Sequence, residues 1–135
     1  MSKNEVNERG QRIMQIDIQA RNFSLTDALR NFTVRRLRLA LSARSEQIQW
    51  VNVRLSDING PRGGADKRCH VQVVLAHLPD VIIEDIETDL YAAIDRATER
   101  AGSAVGRRLV RSRDKYRSNN LKTNMRFFTE EVEQI

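Results

Sequence analysis

Aromatic side chains are scarce in this chain, at 5% of its 135 residues. Stacking on bases therefore cannot be the main source of any affinity for nucleic acid. The longest apolar runs are a few residues, as from Val71 to Ala76, where Gln72 interrupts, so no segment is expected to span a membrane. Residues 1–12 are polar and lack an apolar h-region, which argues against a secretory signal. The single cysteine, Cys69, has no partner for an internal disulfide and fits a reducing cytoplasm. Catalytic constellations are missing as well. His70 and His77 flank a strand end near Cys69, but no second cysteine or ligand spacing supports zinc, and they read as strand residues. Gly60-Pro61-Arg62-Gly63-Gly64 lacks the Gly-Lys-Ser/Thr ending and following helix of a phosphate loop, so it reads as a hairpin connection. With no nucleophile–base pair, the chain is expected not to be an enzyme and to need no cofactor, metal or small-molecule substrate.

What the chain does have is positive charge in one place. Its formal net charge is +5. Residues 1–95 carry 13 basic and 13 acidic side chains, whereas residues 96–135 carry 10 basic and 5 acidic. The whole excess lies in the last forty residues. A concentrated basic segment is the electrostatic footprint of a nucleic-acid binder, although a charge run is often only a solvated face.

Periodicity predicts one domain between two tails, with boundaries 1–12, 13–113 and 114–135, the first tail mobile. Ile13 to Ala20 alternates Met14, Ile16 and Ile18 with polar residues, the mark of a half-buried strand. Ser24 followed by Asp27 resembles a capping box opening a helix to about Ser42, with Ala28, Leu29, Phe32, Leu37, Ala40 and Leu41 on the buried side. Alternation recurs over Ile48–Ser56 and Lys67–Ala76, and Val81–Ile86 is a short fourth strand. Thr88 or Asp89 caps a second helix reaching about Arg113, roughly 37 Å long at 1.5 Å per residue. The fold class is therefore α+β, in the order β-α-β-β-β-α, with both helices on one face of a four-stranded sheet. The other face would present Gln15, Asp17, Asn52, Arg54, His70 and Gln72.

The second helix is the most informative element. Leu90, Ile94, Ala97, Ala101 and Val105 form its core stripe. At about 100° per residue, Arg96, Arg100, Arg107 and Arg111 fall within an arc of about 60°, along roughly 22 Å of helix. Arginine suits phosphate because its planar fork donates two parallel hydrogen bonds. Arg108, Arg113, Lys115 and Arg117 extend the charge, and only Glu99 and Asp114 oppose it between Arg96 and Arg117. Such a spread points to structured RNA, read through shape and phosphate. Asp80, Glu84, Asp85, Glu87, Asp89 and Asp95 precede the basic helix. They read either as a cap with solvated neighbours or as a patch that orients a partner. Gly102 and Gly106 are expected to allow close packing of this helix on the sheet.

Asp89-Leu90-Tyr91-Ala92-Ala93-Ile94-Asp95, at the start of that helix, resembles the signature of the ribosome hibernation promoting factors. That family is also described as ribosome-associated inhibitors, ribosomal subunit interface proteins or sigma-factor modulation proteins. Met14-Gln15-Ile16 through Arg21-Asn22, then Leu25 to Arg30, is similar to its first strand and helix, and the resemblance covers about residues 13–115. It implies a domain like a double-stranded-RNA-binding fold that sits in the small-subunit channel, contacts ribosomal RNA and blocks translation in resting cells. Arg100, Arg107, Arg108 and Arg111 match the contacting positions, with Arg96 beside them and Arg21, Arg35, Arg36 and Arg38 as further candidates. Ser103 stands where many members carry a base, and Glu84 to Thr88 is more acidic than usual. After Asp114 too few residues follow for the dimerisation domain of long members, so a short form, monomeric on the ribosome, is implied. Two other readings stand beside this one. The protein could be a general binder of double-stranded RNA, or a protein-interaction regulator of transcription.

Overall fold

The computed structural model describes residues 14–58 and 66–133, with side chains through 115 and at Arg117. The expected tail at 1–12 and the Gly60–Gly64 connection lie outside the described residues. The elements are β1 (Ile16–Arg21), α1 (Asp27–Leu41), a 3-10 helix (Ser42–Gln47), β2 (Ile48–Asp57), β3 (Lys67–Leu75), β4 (Val81–Glu87) and α2 (Leu90–Glu133). They form an α+β fold around one four-stranded sheet of order β1-β2-β3-β4. β1 and β2 are parallel, which requires a crossover, and α1 supplies it. The other two pairings are antiparallel.

The chain enters α1 at a different residue from the one expected. Thr26 is the N-cap: its backbone is extended, and its hydroxyl accepts a hydrogen bond from the Leu29 amide at 3.1 Å. Ser24 has the box spacing to Asp27, but Thr26 immediately precedes the first helical residue and so reaches the free N–H groups. Asp27 then occupies the first turn, where a carboxylate favours the helix dipole.

Strand alternation produces one buried face. Cross-strand rows such as Ile18–Val53–Val71–Ile83 and Ile16–Val51–Val73–Val81 place apolar side chains together, because side chains two apart share a face. Val51, Val53, Leu55, Cys69, Val71 and Val73 are at most 1% exposed. Leu29, Leu37 and Leu41 from α1 and Ala93, Ile94, Ala97, Ala101 and Val105 from α2 complete this core. Two threonines substitute for apolar residues at buried helix positions. Thr33 donates to the Leu29 carbonyl and Thr98 to that of Asp95, so neither hydroxyl is left unpaired. Ala28, expected on the buried side, is exposed, because the stripe instead follows Leu29, Thr33, Leu37 and Leu41.

α1 meets the first turns of α2 along its length. The Phe32 and Tyr91 rings meet edge to face at 4.9 Å, Arg36 pairs with Asp95, and Gly102 abuts Ala40. Residue numbers rise together on both helices, so the two run parallel. A Cβ at Gly102 would lie 2.9 Å from the Ala40 carbonyl oxygen. The close approach expected of this glycine is thus made to α1 rather than to the sheet.

The largest departure from expectation is at the end of α2. Nothing stops the helix at Arg113; it continues as one 44-residue element to Glu133. Beyond Gly106 the sequence contains neither glycine nor proline, and the polar composition that suggests a tail does not break a helix. The chain falls into two compact units, dividing between Val105 and Gly106.

Candidate nucleic-acid interface

In the first unit, Arg96 and Arg100 are brought together by β4. Arg100 donates to the Glu84 carbonyl at 2.9 Å and lies 3.4 Å from an Asp85 carboxylate oxygen. Arg96 reaches Glu87 at 3.4 Å and Asp85 at 3.9 Å. Asp85 projects from the inner sheet face, in the row of Ala20, Leu55 and Cys69, and its side chain is only 12% exposed. The two arginines remain 66% and 54% exposed. Exposed ion pairs contribute about 0–1 kcal/mol, so these pairs orient the guanidiniums without occupying all of their donors.

The acidic approach to α2 therefore has a structural use that sequence spacing did not separate from solvated charge. Asp85 and Glu87 oppose arginines on the helix, and Asp95 pairs with Arg36 on α1. Asp89 caps α2, accepting from the Ala92 amide at 3.2 Å.

The remaining arginines expected at the interface are dispersed. Arg36 is half-buried against Asp95, with its Nε buried and unpaired among the described residues. Arg35 and Arg38 are exposed on α1. Arg21 ends β1 and points from the sheet face opposite the helices, in one row with Ser56 and Arg68. In the second unit, Arg107 and Arg111 are exposed one turn apart, and Arg108 is half-buried. Arg113, Lys115 and Arg117 are exposed as well, with Asp114 the one acidic residue from Gly106 to Arg117.

Other reactive groups are structural. Burial first, and the nearby Asp85 charge second, push the Cys69 thiol up to about 12, so it stays protonated and unreactive at neutral pH. Lys67 is held above the usual ammonium range chiefly by its hydrogen bond to Asp57, at 2.9 Å. His70 lies in β3, whereas His77 is in the turn after it with a φ of 63°, a left-handed conformation that histidine tolerates better than most residues. Among the described residues no group of three or more His, Cys, Asp or Glu side chains could hold a metal ion. Nor is any described helix long and apolar enough to cross a membrane.

Comparison with known proteins places this arrangement. A family model described as Sigma 54 modulation protein / S30EA ribosomal protein matches residues 16–117. No curated protein sequence matches. The fold resembles the crystal structure of the Thermus thermophilus Protein Y N-terminal domain, at 31% identity and a TM-score of 0.56, covering 70% of this chain and 96% of that one. It also resembles a ribosomal subunit interface protein from Coxiella burnetii, at 17% identity and a TM-score of 0.60, with the same coverage. The second likeness concerns the fold alone, but the first carries sequence as well. The family match takes in the whole sheet, α1, the Asp89–Asp95 opening of α2 and its arginines, and the chain belongs to the Sigma 54 modulation protein / S30EA ribosomal protein family.

Proposed function

We propose that this protein binds the small ribosomal subunit through ribosomal RNA and thereby inhibits translation, as expected for hibernating ribosomes in resting cells. Family membership supports association with the ribosome. The observation that carries the RNA reading is the basic stretch of α2 from Gly106 to Arg117, where six bases face one acid and five of those bases are exposed. Guanidiniums spread along a helix suit phosphates of folded RNA, whose shape and backbone are more accessible than its base edges. Arg96 and Arg100 add two exposed donors in the first unit, and the ion pairs they make are weak enough to be exchanged for phosphate. The binding domain is residues 13–113, with a fold like that of double-stranded-RNA-binding domains, and the protein acts in the cytoplasm, as a monomer on its subunit and without enzymatic turnover.

Co-sedimentation with isolated small subunits tests this reading, comparing wild type with a variant in which Arg100, Arg107 and Arg111 are all changed to Glu. Saturable binding and inhibition of translation in vitro are expected of wild type, with both lost in the variant. Binding should also weaken by roughly 10³–10⁵ between 50 and 200 mM salt if 6–10 phosphates are contacted. A wild type that fails to sediment with subunits at modest salt overturns the proposal. Equal affinity for ribosomes and free duplex RNA would replace it with a general RNA binder.

A further inference from the structure

The open face of the sheet, turned away from the helices, carries a second cationic site. Strand register builds it. Arg21 of β1, Ser56 of β2 and Arg68 of β3 lie directly opposite one another in one row, and Gln19, Arg54 and His70 form the next. All six line a depression of about 210 Å³. Neighbouring strands are about 4.8 Å apart, so Arg21 and Arg68 stand about 10 Å apart across Ser56. Arg54 occupies the diagonal position, roughly 7–8 Å from each. Ser56 lines the depression, and its small side chain leaves the middle of the triangle open.

The charge of this site is unbalanced. Three arginines line the depression and no carboxylate does. Arg21 and Arg54 are exposed and make no ion pair among the described residues. Arg68 is held from the side by Glu84, whose carboxylate accepts from Nη2 at 2.7 Å. The Arg68 Nε is buried and lacks a partner among the described residues. The rim is fixed as well: Asn22, left-handed at a φ of 71°, donates its side-chain amide to the Asp57 carbonyl at 3.1 Å and ties the end of β1 to the end of β2. Strand-borne side chains lose less freedom on binding than loop-borne ones, so such a triangle is preorganised.

We infer that this depression binds a phosphodiester of RNA backbone, held by the forks of Arg21, Arg54 and Arg68 around Ser56. A phosphate group fits the space between the three side chains, and two guanidiniums can approach one phosphate from different sides. No Phe, Tyr or Trp ring lines the depression, so stacking is limited to the His70 imidazole and the guanidinium planes, and phosphate contact is the larger contribution. The inference rests on the RNA reading above and extends it: the first unit carries exposed Arg96 and Arg100 beside β4 and this triangle on the open sheet face, so it would meet RNA at two places.

The test uses the full chain. Arg54→Gln combined with Arg68→Gln removes two donors at exposed or half-exposed positions, and thermal melting checks that the fold survives. Small-subunit affinity is expected to fall on the order of tenfold, with the salt slope reduced by about 2, one for each guanidinium removed from the phosphate. In parallel, the arginine Nε–H resonances of Arg21, Arg54 and Arg68 are followed by NMR while a short RNA duplex is titrated, then inorganic phosphate alone. RNA-driven shifts of these resonances, with an Arg21 Nε–H that shifts in wild type and no longer does so in the double variant, support the site. Wild type that binds subunits, with the double variant unchanged in affinity and slope, overturns the sheet-face site and leaves the ribosome reading intact. Wild type that ignores subunits while RNA still shifts these resonances overturns the ribosome reading and leaves the site standing. Saturation by inorganic phosphate alone, undisturbed by RNA, replaces the phosphodiester with a small free anion and overturns the assignment.

Discussion

The two stretches of α2 carry the same residue type in different surroundings. From Leu90 to Val105 the helix buries Ala93, Ile94, Ala97, Thr98, Ala101 and Val105, and its arginines meet acids presented by β4. From Gly106 to Arg117 the arginines are denser, five in twelve residues against two in sixteen, but Asp114 is the one acid and Arg107 and Arg111 make no ion pair among the described residues. An arginine's readiness for phosphate is therefore set by what faces it and not by its place in a helical arc. On the proposed function, the first stretch contributes stability with some binding, and the second contributes binding with little stability.

The largest expected effect that would break this contrast is on the core. Leu37, fully buried on α1 in the core that the first stretch of α2 also builds, should cost about 2–5 kcal/mol when changed to Ala. Half-buried Leu109 should cost under about 1 kcal/mol in the same change, because less apolar surface is lost. Denaturant unfolding measures both, and equal losses would end the distinction.

Alkaline pH offers a second handle on the packed unit. The folded state holds the Cys69 thiol protonated up to about 12, whereas the unfolded thiol ionises near 9.0. A group with a raised folded pKa stabilises below its unfolded value and loses that contribution as pH rises, so stability should fall between pH 9 and 12 by about 1.4 kcal/mol per unit from this group. Lys67, also raised, adds loss of the same sign above 10.5. Comparison of melting curves with Cys69→Ala isolates the thiol, whose share of the slope should vanish in the variant.

Gly102 sharpens the packing side of the comparison. Alanine improves helix propensity by about 1 kcal/mol, but its Cβ would press on the Ala40 carbonyl, and overpacking costs about 1–3 kcal/mol. A net loss of roughly 1 kcal/mol in melting experiments is expected, and a gain would show that α1 and α2 can separate there freely.

The smallest effect is the most discriminating, because its two readouts move in opposite directions. Asp85→Asn removes the carboxylate that Arg96 and Arg100 share. Stability should drop by about 0.2–1 kcal/mol, while RNA affinity should rise, by at most about fivefold, as the two arginines are released. Affinity unchanged or reduced would mean that Asp85 holds them in the binding geometry.

Much of the fold was legible in the strand and helix periods. Val51, Val53 and Leu55 alternate, and so do Cys69, Val71, Val73 and Leu75, because a sheet with one buried face demands period two. The end of α2 was not legible, since a helix needs a stop signal and the polar run after Arg113 contains none. The start of α1 was misplaced by two residues because Ser24 and Thr26 both offer a capping hydroxyl, and only backbone geometry chooses between them. At the candidate interface, the arginines were visible as a charge excess and a helical arc. Their partners were not, because Asp85 and Arg100 are fifteen residues apart in the chain and meet only when β4 lies beneath α2.

By itself, the sequence determined the order of elements, the buried face of each strand and the basic character of the last helix. These are properties of local period and composition, which survive any arrangement of the parts. Tertiary structure alone decided which arginines face carboxylates and which stand clear, and that Arg21, Arg54 and Arg68 converge around Ser56. Those outcomes depend on register and on which element lies over which. Hydrogen bonds need their partners within a few ångströms and ion pairs weaken with distance and screening, and sequence separation does not encode that distance.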